Sequence, residues 1–251
     1  MTRAVLLALV LVVLLPGTAA AGVSQGEHLY GRFCVSCHGP NGAGRLPAPS
    51  GTGPARDQTV LLGSGPPLVG VGARAADFYL RTGYMPLKRN GIQPRRSRLL
   101  LGPVEIDSLI AYVASLGNGP GVPQPHPERG DLSEGQHLFT ERCAGCHQIV
   151  GAGGYVTGAV PPPLQAATPV QIAEAVRIGP YVMPTFSRSA ISDAQLDSII
   201  RYVEYAKHPD DRGGWSLGHV GPVPEGLATW FFGMTVLVAL CVVLGTRLRR
   251  G

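Results

Sequence analysis

The string CVSCH at residues 34–38 returns as CAGCH at residues 143–147, an offset of 109, and the likeness extends far beyond the motifs. At that offset Ser24, Gly26, His28, Leu29, Cys34, Cys37 and His38 recur as Ser133, Gly135, His137, Leu138, Cys143, Cys146 and His147, and Phe139 stands for Tyr30. PPL at 66–68 returns at 162–164, RTGYMP (81–86) is answered by RIGPYVMP (177–184), and VEIDSLIAYVASL (104–116) by DAQLDSIIRYVEYA (193–206). In the last of these, Leu196, Ile199, Ile200 and Val203 form one apolar stripe at helical spacing. The stretches leading into the motifs read as helices with Ser24 and Ser133 as N-caps. One order (helix, CxxCH, loop, Met-Pro, helix) is thus written twice, which predicts two similar helical units. Between them GNGPGVPQPHPERGD (117–131) has eight Gly or Pro in fifteen residues and reads as a semi-rigid linker.

Four chemistries compete for CxxCH. A zinc site needs four ligands, and a lone Cys-Cys-His set leaves one missing. A redox dithiol needs a strand–helix context, and nothing strand-like precedes Cys34. A disulfide inside each motif leaves the adjacent histidine unexplained. A c-type haem uses all three residues: each cysteine adds to one vinyl group, and the histidine sits under the iron. The motifs consume four of five cysteines, and the fifth, Cys241, lies in an apolar run, so no pair remains for a disulfide framework. With 35 Gly, 23 Pro and 6% aromatics in 251 residues, a prosthetic group would also supply apolar volume that the side chains lack.

A sixth iron ligand must come from elsewhere. Thioether sulfur is soft and favours ferrous iron. Of four methionines, Met1 is the start and Met234 lies in the apolar C-terminal run; Met85 and Met183 occupy matching places in the repeats, each before proline. A lone methionine is ordinarily core filler, but the paired placement makes these two the expected axial ligands. His28 and His137 recur six residues before each first cysteine; they are alternative ligands, and a helix-surface or packing role is preferred.

The ends of the chain concern a membrane. Arg3, an apolar run over Ala4–Leu15 and Ala19-Ala20-Ala21 follow signal-peptide grammar, so residues 1–21 are expected to be a signal peptide. Leu227–Gly245 carries no charge over nineteen residues, about 28 Å of helix, and Arg247, Arg249 and Arg250 follow it. A transmembrane helix over 227–246 is expected, with residues 247–251 as a cytoplasmic tail and everything earlier outside the cytoplasm. The expected organisation is therefore all-α: one domain over 23–118, a linker over 119–131, a second domain over 132–208, a second linker over 209–226, and the anchor.

The formal charge of +5 at pH 7 does not indicate nucleic-acid binding, because two haems would add four propionates. Its distribution is informative: residues 23–118 hold ten basic and five acidic side chains, residues 125–212 seven and ten. Opposite halves bear on docking and steering. The loop KRNGIQPRRSR (88–98), just past Met85, is expected to dock an acidic partner or the second domain, or else to be a solvated loop.

The stretch GPPLVGVGARAADFYLRTGYMP (65–86), the pairing of CVSCHG with CAGCHQIVGAGG, and the C-terminal anchor together resemble the dihaem cytochrome c subunit of the actinobacterial cytochrome bc complex. The resemblance covers nearly the whole chain; its N-terminal region is short and loop 88–98 unusually basic for that family. It implies two tandem class I cytochrome c domains on one membrane helix and two covalently bound haem c groups. Cys34, Cys37, His38 and Met85 would hold one, and Cys143, Cys146, His147 and Met183 the other. It implies a membrane-embedded quinol–cytochrome c reductase in which a cytochrome b subunit oxidises quinol and the Rieske protein passes single electrons to the first haem. The second haem would deliver them to a cytochrome c oxidase in a supercomplex. An electron-transfer subunit of another oxidase or dehydrogenase would use the same sites. A dihaem peroxidase needs an open iron position, which two methionine ligands deny.

Overall fold

The computed structural model describes residues 18–45, 64–87, 93–209 and 222–250. Among them the regular elements are helices: α1 (Thr18–Phe33), α2 (Val35–His38), α3 (Gly72–Arg81), α4 (Pro103–Ser115), α5 (Leu132–Arg142), α6 (Ala144–His147), α7 (Pro169–Ile178), α8 (Asp193–Lys207) and α9 (Pro222–Arg250). Most of the expected signal peptide, Lys88–Ile92 of the basic loop, 210–221 of the second linker and Gly251 lie outside the described residues.

The repeat folds twice on one plan. In the first unit α1 crosses α4; in the second α5 crosses α8. Each crossing is built on a repeated glycine. A Cβ on Gly26 would overlap the Ser108 carbonyl, and one on Gly135 the Ser198 carbonyl. Only hydrogen at that position lets the two backbones approach so closely. Next to the glycine an aromatic pair closes the crossing: Tyr30 against Tyr112 at 5.1 Å between ring centroids, Phe139 against Tyr202 at 5.3 Å. The apolar stripe predicted for α8 is buried, with Leu196, Ile199, Ile200 and Val203 in the second core.

The helix starts differ from the expected serine caps. Ser24 lies inside α1, because the preceding Thr18–Gly22 contains three alanines, strong helix formers with nothing to stop them. Asp131, not Ser133, caps α5; its carboxylate accepts from the Glu134 amide at 2.7 Å. α7 and α8 open on capping boxes, Thr168 with Gln171 and Ser192 with Gln195.

The linker is pinned to both units. The Arg74 amide donates to Pro120 O at 3.0 Å, the His126 amide to Asp197 Oδ1 at 2.7 Å, and Arg201 Nη1 to Gly130 O at 2.6 Å. α9 is unburied, and the most apolar eighteen residues within Gly226–Arg249 have mean hydropathy 2.4. The 24 residues of that stretch span about 36 Å, enough to cross a bilayer. It continues through Arg247 and Arg249 to Arg250, so the expected tail is largely the end of the helix.

The two units meet where α3 lies on α7, and there Glu174 is 0% exposed with neither carboxyl oxygen hydrogen-bonded. It faces Asp77, which is 6% exposed and accepts from Arg81 Nε at 2.8 Å. Burial first, then the Asp77 carboxylate, pushes the Glu174 carboxyl up to about 8, against the pull of Arg81 and Arg74. A proton on Glu174 lets it donate to Asp77, so the neutral acid is the form the interface accommodates. Between pH 4.5 and about 8 the folded chain therefore holds a proton that the unfolded chain releases. Stability falls as pH rises through this window, by at most about 1.4 kcal/mol per unit. In differential scanning calorimetry of the detergent-solubilised protein, the melting temperature is expected to drop from pH 5.5 to 8.5. Glu174→Gln, neutral throughout, should flatten that slope; equal slopes would mean that the carboxylate is already ionised.

Candidate prosthetic-group sites

Among the described residues two clefts each gather the residues that the repeat singles out. The first, about 570 Å³, is lined by Cys34, Cys37, His38 and Met85. Apolar side chains complete its walls, among them Leu80, Leu101, Ile106 and Leu109. The second, about 200 Å³, is lined by Cys143, Cys146, His147 and Met183, with Leu164, Ile172, Val176 and Ile199 around them. In both, the helix before the motif ends at the first cysteine, and a single turn, α2 or α6, carries the second cysteine and the histidine.

The repeated PPL is what orients each histidine, a role not evident from the sequence. His38 Nδ1 donates to Pro66 O at 2.8 Å, and His147 Nδ1 to Pro162 O at 3.1 Å. The loop is held in place by matching backbone bonds: Leu68 N to Gly42 O at 2.7 Å and Leu164 N to Gly151 O at 2.8 Å. With Nδ1 committed, Nε2 is left with its lone pair for the cleft. The hydroxyl that reaches the loop after the motif comes from different helices in the two repeats. Tyr30 on α1 donates to Gly39 O at 2.6 Å in the loop after the first motif. Phe139 lacks that hydroxyl, and Tyr202, on α8, instead reaches Ile149 O at 2.8 Å.

The expected non-ligand histidines lie outside both clefts. His28 is exposed, and His137 stands within 3.3 Å of Glu141 on the outer face of α5. His126 faces Glu128 in the linker.

A family model described as cytochrome c oxidase, cbb3-type, subunit III matches twice, over residues 21–113 and 130–203. The chain is 32% identical to the cytochrome bc1 complex cytochrome c subunit of Corynebacterium diphtheriae, covering 90% of this chain and 81% of that protein. It is 35% identical to the Mycobacterium bovis protein of the same description, covering 92% and 80%, and 35% identical to that of Mycobacterium leprae, covering 91% and 77%. The chain belongs to the family of cytochrome bc1 complex cytochrome c subunits. Among solved structures, a chain of the Kuenenia stuttgartiensis reducing HAO-like protein complex Kustc0457/Kustc0458 aligns at TM-score 0.36 and 14% identity, covering 72% of this chain and 95% of that one; a likeness of this degree carries no argument.

The cytochrome c domains of this family imply covalently bound haem c. The clefts fit that group on their own chemistry: two thiols three residues apart, an imidazole with a free Nε2, a thioether and apolar walls. Burial pushes the Cys34 and Cys143 thiols up to about 11. That is opposite to the depressed value of a redox-active dithiol, which argues against that rival. Burial also lowers the His147 pKa, and its bond to the Pro162 carbonyl opposes this; the neutral ring is the form that ligates iron. Cationic side chains stand at both clefts, Arg45 at the first and Arg96 and Arg142 at the second. Arg96 belongs to the basic loop expected to dock a partner or the second domain, and Arg45 and Arg142 were not singled out from sequence, because a single arginine carries no pattern that marks a cleft.

Proposed function

We propose that the chain is a membrane-anchored dihaem electron carrier. Residues 23–118 form one haem domain, 119–131 a linker, 132–208 a second haem domain and 209–226 the tether to the anchor at 227–246. Cys34 and Cys37 would hold one haem covalently, with His38 and Met85 as ligands to its iron; Cys143, Cys146, His147 and Met183 would serve the other. The haem supplies the one-electron couple. The protein attaches it, orients the histidine through the Pro66 or Pro162 carbonyl, offers a thioether that favours the ferrous state, and surrounds it with apolar side chains. The observation that carries the reading is the convergence of two cysteines, a carbonyl-bonded histidine and a methionine on each of two clefts.

The names of the relatives and the resemblance support its place in a chain of carriers. In that place the first unit would hold the haem that receives single electrons from the Rieske protein of a quinol-oxidising complex containing cytochrome b, and the second unit the haem that serves a cytochrome c oxidase in the same assembly. The Arg247–Arg250 cluster supports an orientation with the haem domains outside the cytoplasm. A second reading, an electron-transfer subunit of an oxidase, is favoured by the description of the matching family model. Gentle affinity purification separates them: co-purifying cytochrome b and Rieske proteins favour the first, an oxidase catalytic subunit without them the second.

Haem stoichiometry tests the sites themselves. The denatured chain is expected to keep haem-dependent peroxidase staining and the mass excess of two haems. Cys34→Ala with Cys37→Ala should retain one, as should Cys143→Ala with Cys146→Ala. Haem wholly extracted by acid acetone would defeat the assignment.

A further inference from the structure

The second cleft is not built by the second unit alone. Phe78, Thr82, Tyr84, Gln93 and Arg96 of the first unit line it together with Cys143, Cys146, His147 and Met183. The backbone that supplies them runs along both clefts: Tyr84 faces the second and Met85 the first, Gln93 and Arg96 the second and Leu99–Leu101 the first. Specific bonds hold this segment on the second unit. The Gln93 side chain makes a two-pronged contact with the Val160 peptide, donating to Val160 O at 2.7 Å and accepting from Val160 N at 2.7 Å. Val160 precedes the proline run whose Pro162 carbonyl orients His147. Arg96 Nη2 donates to Gln171 Oε1 at 2.7 Å, and Gln171 is a buried residue of the capping box that starts α7. Among the described residues no ion pair joins the two units, and this exposed guanidinium is held across the interface, beside the cleft, by a neutral partner.

We infer that the second haem site is shared between the units and that Arg96 of the first unit is the positioning residue that sets the second haem's potential. The inference rests on the two-haem reading above. A fixed positive charge beside the cleft disfavours the ferric form, which carries one more positive charge than the ferrous form. Arg142 lines the same cleft but belongs to the second unit's own α5, so it stays whether or not the first unit is docked. Arg96 therefore ties the potential of one site to the docking of the other domain. Arg95 and Arg98 lie in the same segment and line neither cleft.

The test is a spectroelectrochemical titration of the full-length detergent-solubilised protein, with haem content measured on the same samples. The parent should resolve into two one-electron components, and Met183→His identifies the second. Arg96→Gln is expected to lower that component alone, by on the order of a tenfold shift in its ferric-to-ferrous ratio at fixed applied potential, about 59 mV for one electron. Arg96→Lys should restore most of the shift, which a purely structural contact would not predict. Arg95→Gln and Arg98→Gln should leave both components in place. No shift in Arg96→Gln, an equal shift of both components, or the same shift from Arg95→Gln would overturn the inference. If Arg96→Gln does not fold, Arg96→Met and Arg96→Lys make the same comparison of neutral against charged. A parent with fewer than two covalent haems would instead overturn the reading on which the inference rests.

Discussion

Met85→Ala and Met183→Ala are each expected to lower the potential of one haem by about 100 mV or more and to leave the other nearly unchanged. On the proposed assignment the soft thioether stabilises ferrous iron, and alanine would replace it with nothing that reaches the metal. Both side chains are presented by fixed backbone. The Met85 amide donates to Tyr79 O at 3.1 Å, and the turn before it is closed by Thr82 N on Phe78 O at 3.0 Å. The Met183 amide donates to Pro180 O at 3.1 Å, and Phe186 N to Val176 O at 2.9 Å ties the following residues to α7. Because backbone bonds to α3 and α7 hold these turns, removing the thioether should change the ligand without collapsing the loop. Potentiometry with optical detection would follow both components. The oxidised protein should also lose one sulfur-to-iron charge-transfer absorption per variant. Unchanged absorption and potential in either variant would remove that methionine from the iron.

Gly135→Ala and Gly26→Ala are expected to destabilise their units by about 3 kcal/mol or more. The added methyl meets a carbonyl oxygen of the facing helix, Ser198 or Ser108, not the movable end of a side chain. The helices must therefore separate. In the second unit that would break the bond from the Asp131 amide to Ser198 Oγ, 2.9 Å, and loosen the Phe139–Tyr202 contact. Gly31→Ala, also in α1 but with open space at its Cβ, is the matched control. It should stabilise the helix by up to about 1 kcal/mol through propensity alone. Thermal unfolding of the three variants measures the contrast. Equal small effects at Gly26, Gly31 and Gly135 would show that the crossings can relax.

These two predictions depend on different kinds of information. That Met85 and Met183 would come to matching clefts was legible in the sequence because a duplicated chain carries its own comparison: two scarce residues at matching places stand out without any structure. Gly26 and Gly135 were visible as a repeated pair, but the reason for the repetition was not, because a close approach between backbones far apart in sequence leaves no local pattern. The same holds for Pro66 and Pro162. The PPL repeat was plain, yet a carbonyl that accepts from an imidazole 28 residues earlier is a tertiary contact.

The helices before each motif and after each Met-Pro, the two clefts' cysteines and histidines, and the apolar C-terminal span follow from local rules of spacing, periodicity and length, and the amino-acid sequence determined them by itself, whereas α3 and α7 fall where the repeat reads as loop. Three things were decided only by the tertiary structure. Glu174, counted among the acidic side chains of the second half, is wholly buried against Asp77, since burial depends on which element packs over a helix face and not on the residue's own polarity. Asp131 rather than Ser133 begins α5, because either residue type caps a helix and the packing of the linker against Ser198 selects between them. Loop 88–98 left an acidic partner, the second domain and solvent all open as surroundings for its basic residues. Among its described residues Gln93 and Arg96 reach Val160 and Gln171, because a long polar side chain takes its direction from the partners that folding brings within hydrogen-bond range.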